Sequence, residues 1–388
     1  MRGALGVAVL ATGCFSVPAY DPDPLVTLTE DTTGTTVGTS SFSLHFAGEG
    51  SFHFPDSLKL GGVEVMAHDL AQGCSEEDEV GVRLTPSARV SAHGEAQIAR
   101  NTLTAVLPGP AIVQMRLEWA TQFKCDSTRS PGGTSTFTVF PDGRILRHDV
   151  LADTFSTPIS ASQCTCRDPG FFNLGTFWTL ARAAFLNLYL PFPTEPQVLP
   201  GSDELIPGNQ YVGCLEGDGY RATVVWRDEV STGLFGTGDL IGFSHNLGPD
   251  QSQLGSYSLL DDSALLLGTK TCAEGLTLAE EYRDLSKAKL SIDGIPTEPS
   301  AIDGIYGGDN GNGQTGILLS KPQMVLTGPT PRGFAVWLNF SRKVEAPRAR
   351  SSRRTGAWYM PQKVDEQSWI VWFPEPLGNS ETITIEPR

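Results

Sequence analysis

Hydrophobic and polar positions alternate with a period of two along most of this chain, the pattern of strands with one buried and one wetted face. Between Ile112 and Trp119, the residues Val113, Met115, Leu117 and Trp119 point one way, and Gln114, Arg116 and Glu118 point the other. Tyr220, Ala222, Val224 and Trp226 repeat the pattern against Arg221 and Thr223. Trp119 and Trp226 are thereby assigned to a core. The runs Phe137 to Phe140 and Arg144 to Val150, joined by Pro141, Asp142 and Gly143, read as a hairpin, because proline presets φ and glycine accepts a left-handed position. Leu174, Phe177, Trp178, Ala181, Ala184, Phe185 and Leu188 are spaced as a helical stripe, while Leu186, Leu188 and Leu190 alternate as a strand. A short helix and an irregular segment running into a strand both remain open there.

Strand patterns continue to the end of the chain, at Gly316 to Leu319, Gln323 to Thr327, Phe334 to Phe340, Ala357 to Met360, Ser368 to Phe373 and Thr382 to Ile385. The expected fold class is all-β: a large antiparallel β-sandwich, supersandwich-like in extent, followed by a small C-terminal β-sandwich. The composition agrees, with 42 glycines, 27 prolines and only 19% charged residues in 388. The expected organisation is a signal peptide at 1–13, a lipidated N-terminus and Thr-rich tether at 14–40, a large disulfide-braced domain at 41–292, a linker at 293–304 and the small sandwich at 305–388.

The formal net charge of -16 argues against a nucleic-acid partner, which needs a dense positive surface. The seven cysteines read as one plus six. Cys14 follows Met1 and Arg2, an apolar run from Gly3 to Leu10, and Ala11, Thr12 and Gly13. Cys74, Cys125, Cys164, Cys166, Cys214 and Cys272 remain, an even set suited to disulfides outside the cytoplasm. Direct closure of Cys164 with Cys166 would be strained, and the pairings favoured are Cys74 with Cys125 and Cys214 with Cys272. A thiolate metal site at Cys164 and Cys166 is the alternative.

The first fourteen or so residues resemble the signal and lipobox of bacterial lipoproteins. That resemblance implies export to the cell envelope, with lipid on Cys14 providing the membrane contact; simple secretion is the alternative. The apolar run is too short to span a bilayer core of roughly 30 Å as a helix.

Candidate chemistry is sparse. With a hairpin centred on Glu49, His45 would sit directly across from His53 and the two imidazoles could hold a divalent metal ion, although no cofactor is required. His68 with Asp69, and His148 with Asp149, are acid or base candidates, but neighbours on a strand face opposite ways. Asp303, Asp309, Asn310 and Asn312 offer hard oxygens without the spacing of a calcium loop. No Gly-x-Ser-x-Gly nucleophile elbow is present. In the C-terminal region Trp337 lies on the face opposite Phe334, Val336 and Leu338, and Trp358 and Tyr359 follow a basic run containing Arg353 and Arg354. These five residues are the candidate ligand platform, with burial against a neighbouring domain the competing role for Trp337.

The hairpin Thr136 to Leu151, with Phe140, Pro141, Asp142, Gly143 and Arg144 at its turn, resembles hairpins of the β-supersandwich proteins related to galactose mutarotases and polysaccharide lyases. The resemblance implies an extended antiparallel sandwich and a carbohydrate ligand; no catalytic residue is carried over. The expected role is therefore an envelope lipoprotein binding extracellular material, carbohydrate above all, without evident catalysis. The alternatives are a polysaccharide lyase or glycoside hydrolase on the sandwich, and a structural or adhesive surface protein.

Overall fold

The computed structural model describes residues 24–48, 53–66, 82–85, 88–90, 96–123, 132–155, 174–191, 196–197, 204–206, 211–227, 232–237, 240–247, 255–309, 315–351, 353–354 and 358–387. The architecture is all-β, its strands pairing antiparallel except for Ile317–Leu319, which pairs parallel with Phe334–Phe340. Its centre is a nine-stranded sheet in the order Pro196–Gln197, Asn187–Tyr189, Val212–Glu216, Arg221–Trp226, Gly255–Leu266, Arg144–Phe155, Gly132–Val139, Val113–Phe123 and Ala96–Pro108. The hairpin forms where the Pro-Asp-Gly turn places it, with Val139 opposite Ile145.

Two smaller sheets cover one face of the central one. A five-stranded meander runs from Thr27–Glu30 and Gly34–Gly38 through Phe42–Ala47 and Pro55–Leu60 to Val63–Glu64. A six-stranded sheet contains Leu174–Ala181 next to Leu240–Leu247. Phe46, Phe54 and Leu58 from the meander and Trp178 from the six-stranded sheet meet Met115, Leu117, Trp119, Phe137 and Trp226 in one core. The alternation that selected Val113, Met115, Leu117 and Trp119 therefore marks the inward face, and Gln114 and Arg116 take the other. The Thr-rich stretch is not a tether where it is described, since Thr27–Glu30 pairs with Gly34–Gly38, Gly34–Gly38 pairs with Phe42–Ala47, and Val37 is fully buried. The ambiguous stripe resolves as the strand Leu174–Ala181, one 3-10 turn at Arg182–Ala184 and the strand Asn187–Tyr189. Pairing with Leu240–Leu247 along the full length of Leu174–Ala181 outweighs its helical spacing.

The C-terminal region is a second sandwich. Its five-stranded sheet runs Ile295–Thr297, Leu290–Ile292, Met324–Thr327, Thr382–Pro387 and Pro347–Ser351; its four-stranded sheet runs Ile317–Leu319, Phe334–Phe340, Ser368–Phe373 and Met360–Lys363. The expected linker at 293–304 is part of this body, because Ile295–Thr297 pairs with Leu290–Ile292 and Asp303 is buried. Leu326, Val336, Leu338, Trp369, Val371, Phe373 and Ile383 fill the sandwich core.

A third apolar cluster joins the bodies. Leu107, Ile112, Phe140, Leu146 and Leu266 on the outer face of the central sheet pack against Ala335, Trp337, Met360, Ile370 and Trp372. The buried side chain of Gln362 behaves like a strand edge: its Oε1 accepts from the Ala111 and Ile112 amides at 3.0 and 2.8 Å, and its Nε2 donates to the Ile112 carbonyl at 3.0 Å. Arg144 lies 4.3 Å from the Phe140 ring centroid and donates to the Gly333 carbonyl at 2.9 Å.

The helix Cys272–Arg283 was not expected from the alternation. Thr271 caps it, accepting from the Glu274 amide at 3.1 Å, while Glu274 accepts from the Lys270 amide at 2.7 Å. It lies on the outer face of the central sheet beside the C-terminal sandwich, with Ala279 and Tyr282 buried in the joining cluster.

Candidate functional site

Period-two geometry decides which side chains the central sheet shows beside this helix. Asn187 pairs with Glu216, Tyr189 with Cys214, and Glu216 with Arg221, so Asn187, Tyr189, Cys214, Glu216, Arg221 and Thr223 share the face opposite Leu188 and Leu215, which are in the core. The helix sits down on one end of that face. Its Gly275 comes so near Thr223 that a Cβ would stand 2.2 Å from the threonine oxygen, and Cys272 is bonded to Cys214 with Cα atoms 5.6 Å apart. The pairing of Cys214 with Cys272 favoured by the sequence is thus formed. Cys14, Cys74, Cys125, Cys164 and Cys166 lie outside the described residues.

Between the strands and the helix lies an open groove of about 740 Å³, a size usual for small-molecule sites. Tyr189, Pro191, Tyr211 and Glu216 line one wall, and Ala273, Leu276, Thr277 and Glu280 line the other; the disulfide closes the floor at Cys272. Arg283 covers one side of Tyr211, its guanidinium 3.4 Å from the ring centroid.

Glu216 is the best-connected polar group of the groove. Its Oε1 accepts from Arg221 Nε and Nη2 at 3.1 and 2.8 Å, and its Oε2 accepts from the Tyr189 hydroxyl at 3.1 Å and Asn187 Nδ2 at 3.3 Å. Partial burial pushes the carboxyl upward, but these donors together outweigh it and hold Glu216 below the usual glutamate range. The hydrogen bond to Glu216 keeps the Tyr189 proton on, raising that phenol. Glu280 is half-exposed and only loosely countered, with Arg283 at 3.7 Å and Lys287 at 3.8 Å. The arrangement offers a fixed acceptor, a tyrosine ring held by its own hydroxyl and a second, freer carboxylate.

The five C-terminal candidates are not a platform. Trp337 is only 7% exposed and buried between the two bodies, so the domain contact is what covers it. Trp358 and Tyr359 are inside the C-terminal core, stacked near Phe373. Arg354 is spent on Glu381, at 2.5 and 3.0 Å, and on the Pro376 carbonyl. Arg353 is exposed and donates to Ser380 at 2.5 Å. Ahead of them, Arg348 and Arg350 of the basic run lie on the edge strand Pro347–Ser351, with Arg348 set against Glu386 across the pair.

The expected histidine pair is also not formed. Phe42–Ala47 pairs with Pro55–Leu60 around a longer connection, with a bulge after His45, so His45 faces Ser57 instead of His53. His45 Nδ1 meets Asp56 at 2.6 Å and its Nε2 meets Thr33 at 3.2 Å, whereas His53 bonds the Ala47 carbonyl. Among the described residues no cluster of three histidine, cysteine, aspartate or glutamate side chains could hold a metal ion. His68 and Asp69 lie outside the described residues.

His148 and Asp149 point to opposite faces, as strand geometry requires. His148 Nδ1 meets Asp262 at 2.7 Å; burial lowers its pKa, but Asp262 and nearby Asp149 outweigh that and raise it. Asp149 is fully buried beside Arg147 at 2.6 Å, and burial raises its carboxyl; neither side of this core pair meets solvent. Asp303 accepts from the Ile305 and Asp309 amides at 3.0 and 2.8 Å, and burial pushes its carboxyl up to about 6. Its oxygens hold a turn together.

No family model matches the chain, and no curated protein matches it. Among solved structures, the X-ray structure of a mutant chondroitin AC lyase from Streptomyces coelicolor A3 aligns with it at 10% identity and a TM-score of 0.32, covering 96% of this chain and 50% of that one. The chain thus spans about half the length of that enzyme. Fold and site together define the class: an all-β protein of two packed sandwiches carrying an open groove lined by tyrosines and carboxylates beside a disulfide-anchored helix.

Proposed function

We propose that this chain is an exported, envelope-associated carbohydrate-binding protein whose binding site is the groove between the strand Asn187–Tyr189, Glu216 and the helix Cys272–Arg283. One observation carries the reading: two tyrosines and two glutamates face one open space while Glu216 is fixed by three neighbouring side chains. A tyrosine presents a flat apolar ring to the C–H face of a sugar, and preordered acceptors meet its hydroxyls without an ordering cost at binding. In a glycosidase Glu216, held below the usual glutamate range, would suit the base or nucleophile and not the acid.

Membrane association through lipid on Cys14 belongs to the same proposal. A Cys14→Ser variant is expected to move from the membrane fraction to the soluble one. For the groove, the purified chain is screened on a glycan array and its best binder titrated by calorimetry against Tyr189→Ala and Tyr211→Ala. Affinity is expected to fall at least about ten-fold in each, the scale of losing one well-packed aromatic contact. An array without binders, or variants that bind like the parent, would overturn the reading.

A further inference from the structure

Given that the groove is the glycan site proposed above, we infer that its ligand is an uncharged sugar chain, and that acidic sugars and sugars with a free ammonium are both disfavoured. Each charge at the groove already has an opposite charge close by. Glu216 is ion-paired with Arg221 at 2.8 Å. Glu280 stands 3.7 Å from Arg283 and 3.8 Å from Lys287, and Lys287 in turn lies within the field of Asp284. The two cations are too distant to fill the Glu280 oxygens with hydrogen bonds but near enough to offset its charge, so Glu280 accepts from a sugar hydroxyl without acting as a bare anion. The helix end that meets the groove at Thr271 is countered as well, by Glu274 in its first turn.

What the groove presents to a ligand is therefore neutral surface. Tyr189, Pro191, Tyr211 and Leu276 offer rings and apolar faces to sugar C–H groups, and the Thr277 hydroxyl, which donates to the Ala273 carbonyl at 2.9 Å, keeps only acceptor capacity. A uronate or an ammonium entering this space would shed water with no unmatched opposite charge to receive it, a cost that a hydroxyl does not meet. The net charge of -16 adds a repulsion against acidic chains. Arg283, the guanidinium laid over Tyr211, is shared with Glu280 and gives an acidic ligand no free partner.

The test compares three tetrasaccharides of one linkage by calorimetry on the full chain: glucose, glucosamine and glucuronate. At about 0.15 M salt, where surface fields fade within roughly 8 Å, the glucose form is expected to bind at least about five-fold more tightly than either charged form. Its affinity is expected to change less than about two-fold between low and high salt. Glu280→Gln removes the acid and leaves Arg283 and Lys287 uncountered, and the half-exposed position tolerates the change. In that variant the glucuronate form is expected to gain about three- to five-fold relative to the glucose form, the upper range of a solvent-exposed charge pair. A charged form binding as tightly as the glucose form, a strong salt dependence of the glucose form, or no gain by glucuronate in Glu280→Gln would overturn the inference. Tyr189→Ala measured alongside separates the two readings: weakened binding there keeps the groove as the glycan site even when the preference fails. Failure of all three sugars to bind would remove both.

Discussion

The seam between the two sandwiches and the groove beside the helix use similar residues in opposite ways. At the seam, Trp337 and Trp372 are covered by the neighbouring body, and Gln362 gives its amide oxygen and nitrogen to three backbone groups. In the groove, Tyr189 and Tyr211 stand at an open space, and Glu280 keeps acceptor capacity for a newcomer. A tryptophan or arginine in sequence therefore says little about ligands by itself. What matters is whether the fold has already supplied its partner, and in the seam it has.

The seam can be broken most severely at Trp372, which is 1% exposed and packs near Phe140 with ring centroids 5.8 Å apart. Trp372→Ala is expected to cost about 3–5 kcal/mol in urea unfolding, with sugar binding retained in whatever fraction stays folded. Next in size is the groove's own staple. Replacing Cys214 and Cys272 together by serine opens a link across 58 residues and is expected to cost about 2–4 kcal/mol, and to weaken sugar binding because the helix wall is no longer fixed to the strand wall. An effect on stability with sugar affinity intact would separate the disulfide from the groove.

A smaller effect tests the polar layer under the helix. His148 has its pKa raised above the ordinary 6.5 in the folded chain, so the native state binds the extra proton more tightly than the unfolded state does. Its contribution is fully present below the ordinary value and is lost as pH rises through the raised one. Stability measured upward from pH 6 should therefore decline with a slope that His148→Gln flattens; an unchanged slope would assign the decline to other groups. The finest distinction is Tyr189→Phe, which keeps the ring and removes the hydroxyl bonded to Glu216. Binding is expected to weaken about three- to ten-fold, with melting nearly unchanged, since the hydroxyl lies at an open surface.

Much of the architecture could be read locally. The hairpin around Pro141 to Gly143 was legible because the turn residues fix register by themselves, and Val113 to Trp119 because one face is wholly buried. The His45 register was not, because a bulge and a connection of unknown length intervene, and nothing in the residues counts that length. The helix carried a signal that the alternation drowned out: Thr271 with Glu274 three residues on is a capping box, while Gly275 in the next turn argued against a helix. Gly275 is there because the sheet is too near for a side chain. The strand Pro347–Ser351 hid inside a basic run because its arginines face out and only Ala349 and Pro347 are buried. The groove was not legible at all. It draws on segments near 189, 211 to 216 and 271 to 280, none remarkable alone, and only sheet pairing and the disulfide bring them together.

The most direct measurement is hydroxyl-radical footprinting of the full chain with and without a saturating glycan chosen from the array. Protection is expected to concentrate on Tyr189, Tyr211 and Leu276, with Trp337, Trp358 and Tyr359 equally unreactive in both states. Protection centred on the C-terminal sandwich, with those three groove residues reacting at the free rate under saturation, would contradict the groove as the binding site.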